Sequence, residues 1–114
     1  TDNTPVITAI SNDTGYENLF INQLKIHFKK GDIAILISAS GNSKNLLLAA
    51  KWVNKMKGTT FSLLGFDGGS LKKLSNEYLL IKTAKGDYGP VEDSHLIINH
   101  ILAHWFQKNL INKK

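Results

Sequence analysis

The residues whose type and spacing best suit chemistry lie in one short segment, Ser38-Ala39-Ser40-Gly41-Asn42-Ser43. Its three hydroxyls sit beside a glycine that lets the backbone approach a ligand closely, a set of hydrogen-bond donors suited to an anion. An apolar run, Ile33-Ala34-Ile35-Leu36-Ile37, leads into the segment, and Leu46, Leu47, Ala50, Val53 and Met56 follow it at helical spacing. A loop between a strand and a helix converges its N–H groups where the helix dipole is positive, so the expected chemistry is phosphate binding. The loop has neither the lysine-threonine ending of a Walker loop nor a dinucleotide glycine fingerprint. A monophosphate therefore fits better than a nucleotide, and no nucleotide cofactor is expected. The plainer alternative is that Ser43 or Asn42 only caps the helix.

Other candidates carry weaker signals. His100 and His104 lie four apart on one helical face and could pair on a metal, but no third ligand motif accompanies them. His104 reads more simply as structural or surface, and His95 stays open. Asp67-Gly68-Gly69 is accounted for by a turn between strand and helix and is assigned no chemistry. Trp105, Phe106 and Leu110 continue an apolar helical stripe and read as core or subunit interface rather than a base-stacking platform. Nucleic acid is not an expected partner.

These residues need elements to position them. Asn3-Thr4-Pro5 followed by Val6, Ile7 and Ile10 predicts a capped short helix with proline in its first turn, a strand being the alternative. Thr14 and Glu17 offer a capping box for a helix carrying Tyr16, Phe20, Leu24 and His27/Phe28 up to Lys29, with Gly31 as the stop. The unbroken apolar run Ile33 to Ile37 predicts a central parallel strand covered on both faces. The helix after the serine loop should close at Gly58. Phe61 to Leu64 and Tyr78 to Ile81 are expected as strands, with a short helix Ser70 to Leu74 between them. Pro90 marks the start of a long last helix whose stripe is Val91, Ser94, Ile98, Ile101/Leu102, Trp105 and Phe106. Alternating strands and helices imply a three-layer α/β/α domain with a mostly parallel sheet and ligands beyond the C-terminal strand ends. Such sheets normally hold about five or six strands, and only three are visible, so the others are expected upstream of Thr1.

The chain has 114 residues, 42% of them hydrophobic, which suits one domain, 1–114, with a single core. It has no cysteine, which excludes a disulfide framework and thiolate metal sites and fits a reducing compartment, so a cytoplasmic location is expected. Apolar runs are too short to span a bilayer, and no membrane partner is expected. The net charge of +5 comes from dispersed lysines, including pairs at Lys29-Lys30, Lys72-Lys73 and the extreme C-terminus. That is a solvated basic surface, and its field favours an anionic metabolite.

Gly31-Asp32-Ile33 through Ser38-Ala39-Ser40-Gly41-Asn42-Ser43-Lys44-Asn45 resembles the phosphate-binding signature of sugar isomerase (SIS) domains. Asn12-Asp13-Thr14-Gly15-Tyr16-Glu17, Gly65-Phe66-Asp67-Gly68-Gly69, and Glu92-Asp93-Ser94-His95 with Asn99-His100 resemble its phosphoheptose isomerase branch. The resemblance implies a flavodoxin-like sheet, a homotetramer, and active sites built between subunits. It implies that Ser38, Ala39, Ser40 and Ser43 hold phosphate, that Asn12 and Asp13 lie beside the substrate, and that His100 is an acid–base or metal-binding group. It also places the family's first strands, a glycine- and serine-rich loop, the catalytic glutamate and a histidine ligand upstream of Thr1. The family typically has glutamine at Glu92; a carboxylate there can still join catalysis, touch substrate or ligate a divalent metal such as Zn2+. Glu92 and His100 are separated by about 12 Å along a straight helix, so sharing one metal would need a bend or another subunit.

The implied reaction moves a proton between C1 and C2 of an open-chain sugar phosphate, converting sedoheptulose 7-phosphate to D-glycero-D-manno-heptose 7-phosphate for a surface polysaccharide, lipopolysaccharide or capsule. The competing expectation is a non-catalytic phosphosugar sensor or a replication-associated interaction protein, because SIS domains in regulators keep the serine loop.

Overall fold

In a computed structural model, residues 3–111 are described; Thr1 and the C-terminal lysine pair lie outside the described residues. Helix α1 (Thr4–Thr14) begins as the sequence predicts. The Asn3 side chain accepts a hydrogen bond from the Val6 N–H at 3.0 Å, and Pro5 occupies the first turn, where its missing N–H costs nothing. The capping box does not form. α1 runs on through Thr14, whose hydroxyl donates back to the Ile10 carbonyl at 2.8 Å and is thereby used inside the helix. A 3₁₀ turn (Tyr16–Asn18) and α2 (Leu19–His27) replace the single helix expected there, with Tyr16 exposed rather than on the apolar stripe. The Asp32 carboxylate accepts the Lys29 N–H at 2.8 Å and closes the turn into the first strand.

Strands β1 (Ile33–Ser38), β2 (Thr59–Gly65) and β3 (Glu77–Ile81) form a parallel sheet in the order β1-β2-β3, with Ile33 opposite Thr59 and Phe61 opposite Glu77. Helices α3 (Lys44–Lys55) and α4 (Leu71–Leu74) make the two connections. The core joins Ala34 and Leu36 of β1, Leu64 of β2, Leu71 of α4 and Ala49, Ala50 and Val53 of α3. Alanines at 49 and 50 have no exposed surface, so helix and sheet approach closely there. α3 ends differently from expectation. Lys57, not Gly58, takes the left-handed conformation (φ 56), while Gly58 N–H bonds to the Val53 carbonyl at 3.0 Å. Gly58 is needed for space, because a Cβ there would strike the Phe28 ring.

Two further expectations are corrected. β1 is covered on one face only: Ile33, Ile35 and Ile37 are 62%, 52% and 54% exposed, while Ala34, Leu36 and Ser38 between them are buried. All five apolar residues of that run are consistent with two-sided burial, but the described residues supply cover for one side. The last helix, α5 (Tyr88–Phe106), starts two residues before Pro90 and buries Val91 and His95, not the stripe continuing to Trp105 and Phe106. Ile101, Trp105 and Phe106 are exposed, and the buried residues of α5 lie in its N-terminal half. A π-type turn (Gln107–Ile111) follows it.

Candidate functional site

The serine loop leaves β1 at its C-terminal end and enters α3 at its N-terminal end, the location where parallel α/β sheets place ligands. Its shape is set by its own side chains. Ser38, buried, accepts the Gly41 N–H on its hydroxyl oxygen at 3.1 Å, and the Ser40 hydroxyl accepts the Asn42 N–H at 3.3 Å. Both hydroxyls serve as acceptors in these bonds, so each retains its proton for a ligand. Ser43 is the N-cap of α3, yet its hydroxyl makes no capping bond; its carbonyl accepts the Leu47 N–H at 3.0 Å instead. The alternative that Ser43 serves only as a side-chain cap is therefore not what the structure adopts. Among the described residues no hydrogen bond is made by the N–H groups of Ser40 and Ser43, which leaves them available to a ligand.

A second loop holds the first in place. The Gly41 carbonyl accepts the Leu71 N–H at 2.9 Å, and the Asn42 side chain bridges the loops, donating to the Ser40 carbonyl at 3.1 Å and accepting the Ser70 N–H at 3.0 Å. Gly41 has φ +62, and a Cβ on it would collide with the Gly68 carbonyl. The turn Asp67-Gly68-Gly69 thus buttresses the serine loop, with the Asp67 carboxylate accepting the Gly69 N–H at 3.0 Å. That structural role matches the turn expected from the sequence. Ala39 contributes its carbonyl, which accepts the Gly65 N–H at 2.9 Å and ties the loop to the end of β2.

The other candidates are spread out. Asn12 and Asp13 sit exposed in the last turn of α1, the Asn12 amide donating to the Asp13 carboxylate at 2.9 Å, with no hydrogen bond to the serine loop. Glu92 is exposed on the first turns of α5, next to Val91, which packs where a Gly65 Cβ would be. His100 is exposed farther along the same helix, in a shallow concavity with His104, Trp105 and Lys108. α5 is unbroken from Tyr88 to Phe106, so the eight-residue step from Glu92 to His100 keeps them about 12 Å apart along the axis. Zinc ligands lie about 2.0–2.2 Å from the ion, so these two side chains do not fit one metal within this chain. Among the described residues no group of three or more His, Cys, Asp or Glu side chains converges.

Sequence reasoning left His95 open, and the structure buries it at 6% exposure with its Nε2 3.3 Å from the Leu64 carbonyl. The available signal was its spacing of four from Val91, which puts both on one helical face.

No family model matches the chain. The phosphoheptose isomerase of Clostridium acetobutylicum is 39% identical over 114 residues, covering 100% of this chain and 57% of that protein. That of Helicobacter pylori strain Shi470 is 38% identical over 110 residues, 96% of this chain and 56% of its own length. That of Sulfurimonas denitrificans is 40% identical over 111 residues, again 96% of this chain and 55% of its own length. These sequence relatives are phosphoheptose isomerases. Solved structures agree: one of a phosphoheptose isomerase from Francisella tularensis superposes with TM-score 0.82 at 27% identity, over 90% of this chain and 54% of that one. Phosphoheptose isomerase GmhA from Neisseria gonorrhoeae gives 0.78 at 28% identity, over 88% and 56%. The parallel α/β fold is thus that of phosphoheptose isomerases, and this chain spans a little over half the length of each. Among the described residues no helix is long and apolar enough to cross a membrane.

Proposed function

We propose that this chain forms the phosphate-holding and C-terminal part of a phosphoheptose isomerase, interconverting sedoheptulose 7-phosphate and D-glycero-D-manno-heptose 7-phosphate. The observation that carries the reading is the serine loop, with two unengaged N–H groups and hydroxyl protons of Ser38, Ser40 and Ser43 at the N-terminus of the twelve-residue helix α3. Its backbone and hydroxyls bind the phosphate as hydrogen-bond donors, without a lysine, which suits a monoester terminal to a flexible sugar chain.

With the phosphate fixed, the far end of the open-chain sugar is where the chemistry occurs. A base removes a proton from C1 of the ketose and the electron pair forms a C1–C2 double bond as the C2=O π pair moves onto O2, which takes a proton; loss of the O1 proton then re-forms a carbonyl at C1 as the double-bond pair takes a proton at C2, giving the aldose. Glu92 and His100 are the groups of this chain proposed for that end, and Asn12 and Asp13 are proposed to bind the substrate hydroxyls. Because Glu92 and His100 do not meet on one helix, the reading requires a second copy of the chain or another part of the protein to complete the site. A homotetramer supplies that arrangement.

The test is a coupled isomerase assay and titration calorimetry on the whole protein with sedoheptulose 7-phosphate, comparing wild type with Ser40→Ala. Hydrogen bonds to charged groups contribute about 1.5–3 kcal/mol, so the variant should bind about tenfold or more weakly. Equal affinities remove the loop from the site, and binding without turnover favours a phosphosugar-binding regulator.

A further inference from the structure

The long helix α5 carries both groups proposed for the reacting end of the sugar, yet of its nineteen residues only Val91 and His95 are buried. Few fully buried groups therefore hold that helix in place, with the Tyr88 ring edge-on to Phe66 beside them. His95 supplies the polar one: its Nε2 lies 3.3 Å from the Leu64 carbonyl oxygen. A carbonyl can only accept, so Nε2 carries the proton in this arrangement.

The acceptor belongs to the peptide unit that joins Leu64 to Gly65, and the N–H of that same unit donates to the Ala39 carbonyl at 2.9 Å. One planar peptide therefore receives a hydrogen bond from α5 on one side and gives one to the serine loop on the other. Serial bonds of this kind polarise and strengthen one another. The fit around the peptide is tight as well. A Cβ built on Gly65 would lie 2.6 Å from Val91 Cγ1 and 3.0 Å from the Ala39 oxygen, so α5 and the serine loop converge on this one glycine.

We propose that His95 is a positioning residue that sets the registration of α5, and hence of Glu92 and His100, against the serine loop through the Leu64–Gly65 peptide. The proposal rests on the isomerase reading for its catalytic consequence and on the geometry alone for its structural one. A side chain in this role holds the two ends of the substrate site at a fixed separation without touching the substrate.

The experiment compares whole wild-type protein with His95→Gln and His95→Leu. Glutamine places an N–H donor the same number of bonds from the backbone as histidine Nε2; leucine fills the space and donates nothing. His95→Leu should lower kcat by about tenfold or more while KM and calorimetric affinity for inorganic phosphate stay within about twofold, because a displaced reacting group costs rate rather than phosphate binding. His95→Gln should recover most of kcat. Unchanged kcat in His95→Leu, or a loss that glutamine does not recover, overturns the proposal. Should the leucine variant fail to fold, the glutamine variant and the ¹⁵N histidine spectrum of the wild type decide: a His95 ring protonated on Nδ1 alone overturns it, and the Nε2–H form supports it. Absence of turnover in the wild type would instead defeat the isomerase reading, leaving the tautomer measurement to judge the geometry.

Discussion

Gly41 is the residue on which the phosphate loop depends most directly. Its left-handed backbone and its contact with the Gly68 carbonyl leave no room for a side chain, and its own carbonyl anchors Leu71. Gly41→Ala must pay about 1–2 kcal/mol for the backbone conformation and then displace the facing turn. We expect the variant to unfold at lower urea concentration by at least that amount and to lose phosphate affinity together with stability; a variant of wild-type stability would show that the two loops yield easily. Ser40 acts differently, since its hydroxyl accepts only the exposed Asn42 N–H at 3.3 Å, which water can replace, and keeps its proton for a ligand. Ser40→Ala should therefore weaken binding with little effect on unfolding.

At the scale of elements, the sheet is held in register by a side chain standing in for a strand. Asn76, one residue before β3, accepts both the Thr60 N–H at 2.8 Å and the Thr60 hydroxyl at 2.9 Å, and its own N–H donates to that hydroxyl at 3.0 Å. Thr60 is fully buried, so no water can replace these partners. Leaving a buried donor unsatisfied costs about 1–3 kcal/mol, and Asn76→Ala should destabilise the protein by that amount in urea unfolding with an unchanged slope. A loss under about 0.5 kcal/mol, the scale of ordinary surface substitutions, would mean that Thr60 finds another partner. Ser62 and Ser75, 2.6 Å apart, repeat the device two residues along β2. α3 and α4 are fastened by the strands they connect, whereas the buried residues of α5 lie in its N-terminal half, which is why its placement is sensitive to His95.

For the whole molecule, the decisive feature is the uncovered face of β1. Ile33, Ile35 and Ile37 form an apolar stripe at a sheet edge whose outer N–H and C=O groups have no strand partner among the described residues. Unpaired apolar edges drive association. Residues 1–114 expressed alone should form assemblies larger than a monomer in light scattering, and should not turn over sedoheptulose 7-phosphate, because they span only a little over half the length of the phosphoheptose isomerases they match. Ile35→Lys should reduce that association by placing a charge in the middle of the stripe. A monodisperse, active monomer would contradict both the edge argument and the need for a second copy or another segment.

The three strands, the helices between them and the long last helix were legible in order from the sequence, because apolar periodicity and proline are local signals acting over a few residues. The sequence also located the serine loop, since a phosphate cradle of this kind is contiguous and its position between strand and helix follows from the runs on either side. Capping at Thr14 was misread because two adjacent helices competed for one hydroxyl, and that competition depends on where α1 ends. The one-sided cover of β1 and the role of His95 depend on tertiary structure alone, whereas the separation of Glu92 from His100 already follows from their eight-residue step along one helix. Burial is set by what packs against a residue from distant parts of the chain, and a hydrogen bond to the carbonyl of Leu64, thirty-one residues from His95, leaves no periodic trace in the sequence.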